Sequence, residues 1–155
     1  MQDFTLTTFL PSSPRRHNRQ IINQRVAWLS EAYLLAGRRD EALTQARLAL
    51  DFARAHRADG DRAYLLRILG DIHLHDDPPD VEPARDHFRQ DLALAEQLGM
   101  RPLIAHCRFN LSTLHRRIGR REQAYAELFM AIELYRAMAM PFWLSRAQAE
   151  LARAE

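Results

Sequence analysis

The fold of this chain is decided by residues 111–131, LSTLHRRIGRREQAYAELFMA. Before the single glycine, apolar residues are spaced by three, as in Leu111 and Leu114. After it the spacing is four, as in Ala124 and Leu128. Spacings of three and four place side chains on one face of an α-helix, and glycine favours the left-handed conformation that ends helices. The stretch therefore predicts two amphipathic helices joined by a tight turn.

The same pattern returns about every 40 residues along the chain. A leucine in the first helix of each pair recurs at separations of 40, 42 and 40 residues, at Leu29, Leu69, Leu111 and Leu151. An alanine in the second helix recurs in the same way, at Ala42, Ala84 and Ala124. Self-similarity at such a period is typical of proteins built from stacked repeats. We therefore predict an all-α repeat protein.

Helix signals and turn residues divide the chain into units. We expect helices at about residues 14–36, 40–56, 61–74, 81–98, 102–117, 121–137 and 142–154, and no strand. They form a single domain over residues 14–155, with units at about 14–58, 59–99 and 100–138 and a capping helix at 140–155. Residues 1–13 are expected to be a poorly ordered leader. Residues 75–80, HDDPPD, predict a turn two residues longer than its equivalents.

The composition excludes several classes of function. All 22 basic residues are arginine. The absence of lysine excludes a phosphate-binding loop of the kind that needs lysine, and it also excludes Schiff-base chemistry. Arginines alternate with acidic residues and the formal charge is only +2, which argues against nucleic acid as a partner. No apolar run is long enough for a membrane helix. A lone cysteine, Cys107, gives no internal disulfide, and we expect a cytoplasmic location.

Two groups of residues could carry chemistry. His73, His75 and the aspartates of the following turn are of the types that bind zinc or manganese, with His87 nearby. However, His73 takes the place of Tyr33 in the first unit, which is a packing position, and aspartates commonly cap helices. Cys107 follows His106 directly, and adjacent helical residues point about 100° apart, so a buried thiol is expected. We therefore predict no metal site, no cofactor and no enzymatic activity.

The residues of these units resemble the tetratricopeptide repeat family over about residues 25–155. The residues that carry the resemblance in the first unit are Val26, Leu29, Ser30, Tyr33, Gly37, Ala42, Ala46 and Ala49. Those in the third are Leu111, Ser112, His115, Gly119, Ala124, Leu128 and Ala131, and the second fits less closely because of its longer turn and Asp91. The period exceeds the roughly 34 residues of the standard repeat. It is similar to that of C-terminal repeat arrays in large bacterial signalling proteins with cyclase, NTPase or transcription-activator modules. HEAT-type repeats are the alternative, and the Ala/Gly pattern favours the first family.

The resemblance implies a right-handed α-solenoid of antiparallel helix pairs that binds a protein or peptide on its concave face. The first helix of each pair lines that face, and helical phase then selects the candidate contacts. They are Gln24, Glu31, Tyr64, Arg67, Asp71, His106, Phe109, Thr113, Arg116, Arg117 and Arg146. Aromatic residues and arginines commonly carry binding energy, and the expected guest is a segment with acidic and apolar residues. The basic run at 116–121 suits an acidic peptide, or else simply solvates a helix end.

Self-assembly is the second functional hypothesis. The apolar leader and the run from Phe142 to Leu144 could join copies of the chain through the open ends of the stack. In that case the protein would be a homo-oligomerisation module of a larger signalling protein.

Overall fold

The computed structural model describes residue 25, residues 28–153 and the backbone of residue 154. The first helical stretch, α1, is described at residues 28–35. It is followed by α2 Arg39–Ala55, α3 Asp59–Leu74, α4 Val81–Gln97, α5 Arg101–Arg117, α6 Arg121–Ala137 and α7 Pro141–Ala154. The described residues contain no strand, so the predicted all-α class is confirmed for them. The bounds of α2–α7 lie within two residues of those expected, whereas Gln24 and the expected leader lie outside the described residues.

Most of the connections share one turn structure. After α4, the amide of Gly99 donates to the carbonyl of Glu96 at 3.2 Å, and the amide of Met100 donates to that of Ala95 at 2.9 Å. This pair of bonds satisfies carbonyls that the end of the helix would leave free, and it needs a left-handed residue. The left-handed residues of the described turns are Gly37, Arg57, Gly99, Gly119 and Ala139.

The turn from α3 to α4 has a different structure. It spans residues 75–80, where the amide of Asp80 donates to the carbonyl of His73 at 3.1 Å. Arg117 at the end of α5 reaches this turn, donating to the carbonyl oxygens of Leu74 and, at 3.0 Å, Asp76. The longer turn is therefore held by a side chain from the next helix pair.

The helices pack as neighbouring pairs. Contacts are densest between α3 and α4 and between α5 and α6, and α3 also touches α5. Buried residues on α2, α4 and α6 follow one spacing of four, three and four, which gives each of these helices a narrow packing face. In α2 they are Ala42, Ala46, Ala49 and Ala53; in α4, Ala84, Phe88, Asp91 and Ala95; in α6, Ala124, Leu128, Ala131 and Tyr135.

A glycine in α3 makes room for the largest side chain of the α4 face. A Cβ atom added at Gly70 would lie 2.6 Å from the ring of Phe88, which is itself fully buried. The corresponding residues of α1 and α5 are Ser30 and Ser112, both buried. A small residue at this place lets the helices of a pair approach closely.

No helix in the described part of the chain combines the length and the apolar character needed to cross a bilayer.

Candidate functional site

A cavity of about 410 Å³ lies between α3, α5 and α7, with α1 at one end. We call this cavity the groove. It is lined by Glu31, Arg67, Asp71, Leu74, His75, His106, Phe109, Asn110, Thr113, Arg116, Trp143, Arg146 and Glu150.

One end of the groove is an ion-pair network centred on Arg67. Its guanidinium lies 3.4 Å from the carboxylate of Glu31 and 3.8 Å from that of Asp71. The Arg67 side chain is only 17% exposed, so these charges interact more strongly than they would in open solvent. Burial raises the pKa of Asp71, and the nearby Arg67 and His75 oppose that shift. Through this network α1 and α3 are tied together at the edge of the groove.

Another part of the groove has an aromatic wall. The Trp143 ring meets His106 edge-on, with centroids 4.5 Å apart, and stacks near Tyr135 at 6.1 Å. Nδ1 of His106 and the hydroxyl of Tyr135 are 2.8 Å apart, within hydrogen-bond distance. Burial, aided by the positive charge of Arg67, lowers the pKa of His106 to about 4. The imidazole is therefore neutral at pH 7, and this wall presents polar atoms without a net charge.

Arg146 is the cation of the groove that no described carboxylate neutralises. Its guanidinium lies 5.3 Å from the centroid of the Trp143 ring, in cation–π geometry. The charge of Arg146 also acts to lower the pKa of Asp71, against the larger effect of burial. Arg116, by contrast, is paired with Glu150 at 3.6 Å. Arg146 thus keeps its hydrogen-bond donors available for a bound molecule.

The groove brings together eight of the candidate contacts that the sequence predicts. These are Glu31, Arg67, Asp71, His106, Phe109, Thr113, Arg116 and Arg146. Tyr64 is 45% exposed in the first half of α3 and does not line the groove. Arg117 does not line it either, because its guanidinium is bound to the turn before α4. Gln24 lies outside the described residues.

Five lining residues are not among the candidate contacts: Leu74 and His75, which follow Asp71 at the end of α3, and three residues on α5 and α7. Asn110 lies four residues after His106, and Glu150 lies four residues after Arg146. Trp143 lies three residues before Arg146, although the sequence suggested a role for it in joining copies. All three therefore share a helix face with residues that were selected. Helical phase contained the signal, and a wider arc of each helix would have included them.

The suspected metal ligands divide between two places. Ligand atoms of His73, Asp76 and Asp80 lie within 4.8 Å of one another. The positive charge beside these ligand atoms comes from Arg39, whose guanidinium donates to Asp76 at 2.6 Å. His75 instead lines the groove, with Nδ1 donating to the carbonyl of Asp71 at 2.8 Å. The cluster can be explained as an ion pair that ties α2 to the α3–α4 turn.

Cys107 is buried between helices, as the sequence predicts. Its side chain is fully buried, and the thiol donates to the carbonyl of Phe88 at 3.1 Å. Burial raises the pKa of this thiol, so it remains protonated at neutral pH. The thiolate is the nucleophilic form of cysteine, and this side chain therefore offers none.

No family model matches this chain, and a search of curated proteins returns no match.

Proposed function

We propose that this chain is a tetratricopeptide-like module that binds a peptide or a partner domain in the groove and catalyses no reaction. In this proposal the helices form a right-handed solenoid of three pairs with a capping helix. The recurring turns and the shared packing faces of α2, α4 and α6 support it. We place the module in the cytoplasm, because a single buried cysteine forms no internal disulfide that would point to an oxidising compartment.

The groove itself carries the proposal. Residues from four helices, α1, α3, α5 and α7, line this one cavity although they are far apart in the sequence. Concave cavities with apolar walls and a few convergent polar groups are the usual form of a binding site.

The chemistry of the lining selects the guest. Trp143 and Phe109 offer apolar surface, and Arg146 offers an unpaired guanidinium beside them. Aromatic residues and arginines often dominate binding energy at interfaces. The best match is an extended or helical segment in which an acidic residue lies close to apolar ones.

Peptide selection tests this function directly. A random peptide library displayed on phage is selected on the immobilised protein, and the selected peptides are then measured by fluorescence anisotropy. We expect their affinity for Arg146→Glu to be at least about tenfold lower, since attraction between opposite charges is replaced by repulsion. The matched control is Arg89→Glu, an exposed arginine of α4 that lines no part of the groove. Equal loss in both variants, or in neither, would show that the groove is not the binding site.

A further inference from the structure

A second cavity continues the groove beyond Arg116. It measures about 290 Å³ and lies where the end of α5, the start of α6 and the end of α7 meet. We call it the end pocket and define it by Ser112, Arg116, Arg121, Leu128, Glu150 and Arg153. Arg116 and Glu150 line both cavities, so a chain lying in the groove could place a side chain in the end pocket.

The charge of the end pocket differs from that of the groove. Three arginines and three carboxylates balance one another in the groove. The end pocket is lined by three arginines and by a single carboxylate, Glu150. Glu150 already accepts from Arg153 at 2.7 Å and pairs with Arg116 at 3.6 Å. Two positive charges are therefore left without compensation in a small volume.

Arg121 holds most of the unused hydrogen-bonding capacity. Within the described residues its guanidinium forms no ion pair, whereas Arg116 and Arg153 share Glu150. A guanidinium presents its donors as a planar fork that matches the two oxygens of a carboxylate or a phosphate. The buried Leu128 forms part of the lining, so an anion held by the arginines would contact apolar surface on one side.

We propose that the end pocket recognises an anionic group, a carboxylate or a phosphate, carried by the segment that occupies the groove. This inference rests on the proposed function for the source of the anion. It also divides the basic run of residues 116–121 by role. Arg117 holds the α3–α4 turn, and Arg116 and Arg121 join Arg153 at the end pocket.

A peptide fits this arrangement better than a nucleic acid does. The uncompensated charge is confined to one end of a groove that is otherwise balanced. Nucleic acids are bound along a continuous basic stripe that contacts several phosphates. A single anionic side chain is the guest that matches one short positive site.

The first test uses inorganic phosphate and acetate as probes, without any peptide. Each anion is titrated into ¹⁵N-labelled protein, and the Nε–Hε signals of the arginines are followed by NMR. In the parent chain we expect saturable shifts at Arg116, Arg121 and Arg153. In Arg121→Ala the shifts of Arg116 and Arg153 should saturate with an affinity at least about tenfold weaker, or be absent. Arg89→Ala is the matched control and should titrate as the parent chain does. Shifts that never saturate, or that are equal in the two variants, would overturn the proposal.

The two anions distinguish the sources of the charge. Stronger binding of phosphate than its extra charge explains would identify a phosphorylated side chain, and similar binding would identify an acidic residue. In both cases the end pocket is an anion site. Arg121 is exposed, and thermal melts of both variants should match the parent, which separates loss of binding from loss of folding.

Selected peptides provide the second test. The acidic residue of a groove-binding peptide is changed to its amide, and the affinity is measured on the parent chain and on Arg121→Ala. We expect the change to weaken binding to the parent about tenfold and to have little effect on the variant. If peptides bind the groove and neither anion saturates the end pocket, only this inference fails. If the anions bind and no peptide does, the proposed function fails and the anion site remains.

Discussion

Asp91 is the residue that departs furthest from its environment. It stands on α4 where α2 has Ala49 and α6 has Ala131, and it is 0% exposed. Neither carboxylate oxygen has a hydrogen-bond partner among the described residues, because the single proton of Cys107 goes to the carbonyl of Phe88. Burial raises the pKa of Asp91 to about 7, and the positive charge of the nearby Arg67 opposes that shift.

This carboxyl should make the stability of the protein depend on pH. In the unfolded chain an aspartate loses its proton near pH ~3.9, whereas Asp91 in the folded chain keeps it until about pH 7. Between these values the folded state binds more protons, so its stability falls as the pH rises. Asp91→Asn cannot ionise. We expect its Tm to exceed that of the parent by several degrees at pH 8, with the difference shrinking towards pH 4.

Circular dichroism melts at a series of pH values measure this difference. Asp86→Asn, an exposed aspartate on the same helix, is the control and should leave the Tm close to that of the parent. A Tm difference for Asp91→Asn that is constant with pH would contradict the assignment.

At the residue scale, the sequence identifies the residues that break the repeat pattern, but it does not show which side chains and carbonyls surround them. Asp91 is recognisable because small residues occupy the equivalent places, but its burial depends on contacts between three helices. Arg116 and Arg117 are adjacent and chemically identical, and the sequence placed both in the groove. Arg117 is instead bound at the α3–α4 turn, where its guanidinium donates to the carbonyl oxygens of Leu74 and Asp76.

At the scale of the helices, the relevant feature is the turn that ends each one. Three of the left-handed positions are glycines, but Arg57 and Ala139 adopt the same conformation with a φ of 51°. A side chain in this conformation costs roughly 1–2 kcal/mol, and glycine avoids this cost.

Glycine at Ala139 should therefore stabilise the protein. We expect Ala139→Gly to raise the free energy of unfolding by about 1 kcal/mol, since the strain is relieved where the turn already has this shape. Ala126→Gly, at an exposed position in the middle of α6, is the matched control and should lower it by about 1 kcal/mol. Urea unfolding of both variants measures the difference. Destabilisation of similar size in both would mean that the turn at residue 139 carries no strain.

The elements themselves were largely predictable from the sequence. The bounds of α2–α7 follow from helical spacing and from a few turn residues such as Gly99 and Gly119. Arg57 and Ala139 themselves give no such signal, and the sequence placed these turns from Gly60 and Pro141 nearby. The pairing of Gly70 with Phe88 could not be read from either residue alone, because it depends on which faces of α3 and α4 meet.

At the scale of the whole molecule, exposed apolar side chains decide between binding and self-assembly. Trp28 is 62% exposed on α1, the first of the described helices, and Phe142 is 68% exposed on α7, the last. Trp143, in contrast, packs against His106 and Tyr135 at the groove. Of the run that the sequence offered for joining copies, Phe142 is the residue most open to a second molecule.

We expect the chain to be monomeric, because the most exposed rings, Trp28, Phe129 and Phe142, lie on different helices, and a single ring provides little of the apolar area that a stable interface needs. Multi-angle light scattering across a concentration series should give the mass of one chain for the parent and for Phe142→Ser alike. A mass that rises with concentration in the parent and not in the variant would favour self-assembly instead.

Some of the residues that line the groove were predictable from helical phase and from the repeat. Helical phase indicates which residues share a face, and the repeat indicates which helices present equivalent faces. Neither fixes the angles between helices, which determine how close Asp71 comes to Arg146 or whether Arg121 and Arg153 meet. The end pocket joins three helices that a residue pattern treats separately, and it could not be predicted from spacing alone.

The regular turns also bear on how such a chain can grow. Gly99 and Ala139 have equivalent conformations 40 residues apart, and each is followed by a methionine and a new helix. A tandem duplication of residues 100–139 would thus connect Ala139 to Met100 through a turn that the protein already makes. The copied helices would meet α6 with the same surface that α5 presents to α4. An in-frame duplication at this point would therefore lengthen the chain by one helix pair without requiring a turn of a new kind.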